Sequence, residues 1–87
     1  MAWTIEFDVA ARKQLRKIGH APAKLIVEGL EAIAQLDNPR DRGKAMVGNY
    51  AGYWRFRFAD FRVIAKIEER RLVIAVIAVG HRREVYR

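Results

Sequence analysis

From Trp54 the chain alternates apolar and cationic positions without a break. Trp54, Phe56 and Phe58 fall on one side of an extended segment and Arg55 and Arg57 on the other, the period of two that marks a half-buried strand. Residues 61–68 and 72–79 are rich in Val, Ile and Phe and are set apart by short polar breaks, so the simplest reading of residues 53–86 is a three-stranded antiparallel meander. The N-terminal half reads differently. Trp3, Ile5 and Phe7 alternate with Thr4 and Glu6 as a short opening strand; Asp8 offers a helix cap, Ala11, Leu15 and Ile18 mark one side of a first helix, and Gly19 can end it. Pro22 suits the first turn of a second helix. Its apolar side is Ile26, Leu30 and Ile33, joined by Leu25 and Leu36, and Asp37-Asn38-Pro39 stops it. Gly29 lowers helix propensity by about 1 kcal/mol relative to Ala, which points to close packing there, against the first helix. The expected fold is α+β: an N-terminal strand, a two-helix hairpin, then the meander, in one domain over residues 1–87. The hairpin should cover the sheet face that bears Trp54, Phe56, Phe58, Val63 and Ile74.

Two stretches stand apart from this pattern. Residues 37–52 hold no phosphate-loop spacing and read as a connection, with Arg40, Arg42 and Lys44 able to touch a nucleic-acid backbone. Residues 72–79, LVIAVIAV, are apolar on both faces, whereas one helical hairpin covers only one face of a sheet. Ala75, Ile77 and Val79, beside Ile64, are therefore expected to look outward and to be covered by an apolar segment of a partner.

Register makes the meander chemically informative. Whether the first loop is Ala59-Asp60 or runs from Phe58 to Phe61, Arg57 falls directly opposite Arg62 with Cβ atoms about 5 Å apart, and Arg55 follows one pleat away at about 7 Å. Two guanidinium groups so placed repel each other unless an anion sits between them, and phosphate matches the planar fork in bidentate fashion. With the second turn centred on Glu69 and Arg70, Val79 falls near Asp60 and the strand ends at Gly80. The run His81-Arg82-Arg83-Glu84-Val85-Tyr86 then leaves the sheet beside Arg57 and Arg62.

Charge sharpens this picture. The 87 residues carry a formal charge of +7 and a pI near 10.4, yet residues 1–43 contribute a net +1 and residues 44–87 a net +6. The strand-rich half carries the field, which steers polyanions and predicts salt-dependent binding. On the first helix, Arg12, Lys13, Arg16 and Lys17 form a second cationic face, read first as solvated surface. A hydrophobic content of 52% excludes a disordered chain, and the absence of cysteine excludes disulfides and thiolate metal sites. No signal-peptide pattern or long apolar span occurs, so a cytoplasmic protein with no membrane partner is expected. His81 lacks the neighbours of a metal site, so neither metal nor cofactor is expected.

The segments Trp54-Arg55-Phe56-Arg57-Phe58, Asp60-Phe61-Arg62-Val63-Ile64 and Val79-Gly80-His81-Arg82-Arg83-Glu84-Val85-Tyr86 resemble the RelE branch of the RelE/ParE toxin superfamily, with GHRREVY the most specific part. The resemblance implies a small cytoplasmic endoribonuclease that cuts messenger RNA in the ribosomal A site and is silenced by a cognate antitoxin in a toxin-antitoxin hetero-oligomer. It also implies that Tyr86 acts on the attacking 2′-hydroxyl and that Arg82 serves the leaving group. Arg57 and Arg62 suit stabilisation of a dianionic phosphorane, while Arg55, Lys44 and Arg83 suit contacts to RNA. His81 stands beside them as a second candidate base.

The sequence departs from the family's best-known member by placing Arg55 and Arg57 where that protein has lysines. Arginine keeps its proton up to a pKa above about 12, so the general base falls to Tyr86 or His81. Two rival functions remain: a ParE-like inhibitor of DNA gyrase, which shares the fold without this arginine and tyrosine constellation, and a non-enzymatic RNA- or ribosome-binding module, for which the basic half suffices.

Overall fold

The computed structural model describes residues 2–81. Strand β1 (Thr4–Phe7) leads into helices α1 (Val9–Lys17) and α2 (His20–Ala34); β2 (Lys44–Ala45), β3 (Trp54–Phe58), β4 (Phe61–Glu68) and β5 (Val73–His81) follow. The strands form one sheet in the order β1-β5-β4-β3-β2. Only the β1–β5 pair is parallel, as the helical crossover between the opening strand and the meander allows. The opening strand, the helical hairpin and the antiparallel meander all stand as expected, and the sheet gains the two-residue β2 from the connecting stretch.

Local chemistry fixes the helices. The Asp8 carboxylate accepts a hydrogen bond from the Ala11 N–H at 2.8 Å, capping α1, and the Asp8 N–H donates to the Val76 carbonyl at 3.0 Å. The helix thus starts where β1 leaves β5. Gly19, at φ 99°, turns the chain straight from α1 into α2, in a region that residues with a Cβ avoid.

One face of the sheet takes both helices. Ala11, Ile26, Leu30 and Ile33 pack with Phe56, Val63, Ala65, Ile67, Ile74, Val76 and Val79, and Trp54 and Phe58 lie against them. Leu25 does not join them and is 46% exposed. Gly29 is closely packed, but against the sheet: a methyl group there would run into the ring of Phe58, which replaces the expected contact with α1.

The β4–β5 register differs from expectation. A four-residue turn, Glu69 to Leu72, closes with Leu72 N–H donating to the Glu69 carbonyl at 3.2 Å, and Leu72 takes φ 53°. A bulge at Ile64/Ala65 then shifts the pairing by one more residue, so that Val79 faces Val63 and His81 faces Phe61. Two consequences follow. Val79 turns into the core, 1% exposed, in place of the outward position expected for it, and β5 runs on to His81 where the chain was expected to leave the sheet at Gly80.

Candidate nucleic-acid interface

Among the described residues, five cations on the strands share the sheet face turned away from the helices. Arg57 pairs with Arg62 and Lys44 with Arg55, giving two adjacent cross-strand rows, and Lys66 lies on the same face of β4 by the alternation of the strand. The Arg57–Arg62 register is the one that the two-residue Ala59-Asp60 loop dictates. Neighbouring strands lie about 4.8 Å apart, so the two guanidinium groups begin from adjacent pleats with like charge, an unfavourable pairing in the absence of an anion.

The two arginines are not equivalent. Arg62 is 8% exposed, and its Nη1 donates to the Ala59 carbonyl at 3.2 Å and the Phe61 carbonyl at 3.1 Å. The turn that supplies these oxygens holds Ala59 at φ 52°, so hairpin backbone and buried cation brace each other. Arg57 is exposed and makes no hydrogen bond or ion pair among the described residues. A fixed, partly desolvated cation therefore stands beside an exposed one, and the fixed charge acts on an anion more strongly than it would in water. Arg55 is half-buried, with Lys44 exposed beside it.

His81 reaches the same end of the sheet on its other face. Its strand partner Phe61 precedes Arg62, and alternation puts the two on opposite sides. The imidazole meets the Phe61 ring edge-on, centroids 5.9 Å apart. Together with Gln14, Lys17, Ile18 and Val79 they line a cleft of about 340 Å³ between α1 and the end of β5. Arg82, Arg83 and Tyr86 lie outside the described residues.

Other expected contacts sort by what they touch. Arg40 is committed to structure, with its Nη1 2.9 Å from Glu69 and its guanidinium 5.9 Å from the centre of the Trp54 ring. Ile64 sits on the outer face yet is fully buried, so Ala75, Ile77 and Ala78, each half-buried, provide the apolar surface open there. The far end of that face is acidic and self-neutralised: Arg71 reaches Glu68 at 3.0 Å and Glu6 at 3.2 Å. Its hydrogen bond holds the Glu68 carboxyl below the usual carboxylate range. The net positive field is thereby left at the Arg57–Arg62 end. Among the described residues no three His, Cys, Asp or Glu side chains gather as metal ligands, and no helix is long and apolar enough to cross a membrane.

Residues 5–86 match the family of ParE toxins of type II toxin-antitoxin systems. The chain belongs to that family. The toxin is 27% identical over 89 residues to toxin RelG of Mycobacterium tuberculosis, covering 100% of this chain and 99% of that protein. Its fold matches the RelBE2 toxin-antitoxin complex of the same organism with a TM-score of 0.86 at 22% identity, over 97% of this chain and 95% of that one. It also matches a variant of Escherichia coli toxin RelE in the free state with a TM-score of 0.77 at 21% identity, over 99% and 88% of the two chains. The fold of this ParE-family toxin is thus also the fold of RelE toxins.

Gln14 is the residue of this toxin that sequence reasoning passed over. Its Oε1 accepts the Val79 N–H at 2.8 Å although the residue is itself exposed, and it stands three residues after Ala11 and one before Leu15. A lone amide at an apolar position of the helix period was the available signal.

Proposed function

We propose that the toxin is a ribosome-dependent endoribonuclease that cleaves messenger RNA in the A site and needs no divalent metal. The observation that carries this reading is the Arg57–Arg62 cross-strand pair, two cations with no anion beside them among the described residues, at the end of the sheet from which the Arg82 to Tyr86 segment continues in sequence. In the reaction the 2′-oxygen attacks its own phosphorus and expels the 5′-oxygen of the next nucleotide, leaving a cyclic phosphate. Charge on the phosphorane is met by Arg57 from solvent and by Arg62 from its anchored position. Tyr86 takes the 2′ proton, Arg82 serves the leaving oxygen, and Arg55, Lys44 and Arg83 hold the backbone. His81 lines the cleft on the opposite face, which favours Tyr86 as the base. The open, shallow site cannot by itself orient a flexible strand, so the decoding centre supplies alignment worth about 7 kcal/mol or more, in the cytoplasm where ribosomes work. A cognate antitoxin silences the site by covering the cations and the Ala75–Ile77 surface.

A second reading, inhibition of DNA gyrase, is favoured by the family's description as ParE toxins. Both are decided by purified toxin added to ribosomes stalled on a defined message, with cleavage mapped and rates taken in a single turnover. Cleavage is expected in the A site, with or without EDTA under conditions that keep ribosomes intact, and naked RNA should be cut poorly. Arg57→Ala and Tyr86→Phe should each slow the step by roughly 100-fold. Equal cutting of naked RNA, or a fully active Tyr86→Phe variant, would overturn the assignment; gyrase poisoning without cleavage would establish the second reading.

A further inference from the structure

We infer that Gln14 is a positioning residue for the reaction, holding the end of β5 in place beside Arg62. This rests on the nuclease reading above.

The inference starts from an edge. On one side β5 is paired with β4 as far as His81, whereas on the other β1 follows it only to Val76. Past that point, among the described residues, β5 has no neighbouring strand on its β1 side, and an unpaired strand edge leaves its N–H groups without partners. Helix α1 takes over there. The Asp8 N–H donates to the Val76 carbonyl and the Asp8 carboxylate accepts from the Ala11 N–H, so the helix begins locked to β5. Ala11 has no exposed surface, and its small side chain lets the helix lie close. Three residues on, on the same side of the helix, the Gln14 Oε1 accepts the Val79 N–H at 2.8 Å. The glutamine replaces the missing strand at one rung.

That rung stands next to the chemistry. Gly80, adjacent to Val79, pairs with Arg62, and Arg82 comes three residues after Val79 in the chain. The bulge at Ile64/Ala65 weakens the β4 side of the same stretch, so β5 depends on Gln14 where its own ladder is irregular. Held on one side only, Gly80 and the Arg62 opposite it would be free to shift, and a misplacement of about 1 Å can cost around 100-fold in rate.

The test compares Gln14→Leu, which removes the acceptor, with Gln14→Glu, which keeps an oxygen in place, in the full-length toxin. Three quantities are read: amide exchange at Val79, thermal midpoint, and single-turnover cleavage on stalled ribosomes as a function of ribosome concentration. Gln14→Leu should speed Val79 exchange and lower the maximal cleavage rate by about 10- to 100-fold, leaving the half-saturating ribosome concentration and the folded state intact. Gln14→Glu should restore both exchange protection and rate. An unchanged maximal rate in Gln14→Leu overturns the inference, as does a loss confined to ribosome affinity or a glutamate variant as slow as the leucine one. A wild-type toxin that cuts no message on any ribosome would instead bring down the nuclease reading, and this role with it, whatever Val79 exchange shows.

Discussion

Gly29 shows how much one missing carbon can matter. An alanine there would add about 1 kcal/mol of helix propensity, but its methyl group would enter the space held by the Phe58 ring, and overpacking of this kind costs about 1–3 kcal/mol. Phe58 lies against the core and is pinned by it, so the steric term should win. Gly29→Ala is expected to lower stability by roughly 1–2 kcal/mol in urea unfolding at unchanged slope, and Phe58→Leu in the same chain should recover part of the loss. A Gly29→Ala protein at least as stable as wild type would mean that the ring moves aside freely. The sequence signals that something approaches Gly29 closely, because a mid-helix glycine has few other uses, but it does not say what approaches. The Arg57–Arg62 pairing, by contrast, was legible in full: strict alternation and a two-residue loop leave one register. How Arg62 is spent was not, since folding back onto the Ala59 and Phe61 carbonyls depends on a turn geometry that Ala59 adopts without a glycine to announce it.

Elements were easier to place than their mutual register. Both helices, the opening strand and the three meander strands follow from periodicity, while the β4–β5 pairing escaped for two reasons. Leu72 enters the left-handed region without being Gly or Asn, and nothing in Ile64-Ala65 marks a bulge. Holding that register is one task of Arg71, whose guanidinium joins Glu68 at the end of β4 to Glu6 on β1, across β5. The hydrogen bond from Arg71 depresses the Glu68 pKa in the folded state. A carboxyl depressed in this way stabilises the fold above its unfolded pKa, about 4.3, and loses that contribution as pH falls through the folded value. Urea midpoints of wild type and Arg71→Met should therefore differ at neutral pH and converge as the solution is acidified through the carboxylate range. A gap that stays constant with pH would show that Arg71 acts by packing alone.

The whole molecule presents a sheet face that is apolar in the middle, strongly cationic at one end and neutralised at the other. Ala75, Ile77 and Ala78 are half-buried there, and Lys44, Arg57 and Lys66 flank them, with no acidic residue on β2 or β3. A partner that fits must bring apolar and acidic residues together, which is the chemistry expected of the cognate antitoxin segment, and the two contributions should separate kinetically. Charge reversal at Arg57, an exposed position, should act mainly on association and reduce the dependence of the on-rate on salt. Ile77→Asp should act on dissociation: it removes burial worth up to about 1.5–3 kcal/mol, less here because Ile77 is already half covered, and places a carboxylate where an apolar side chain would dock. Each change alone is expected to weaken the complex by about tenfold or more, and Arg57→Glu with Ile77→Asp by about 100-fold, the sites being far enough apart for near additivity. Association and dissociation rates measured at low and physiological salt would decide it. If the doubly substituted toxin binds its antitoxin as tightly as wild type does, the antitoxin docks elsewhere, and the cations of this face are left to RNA alone.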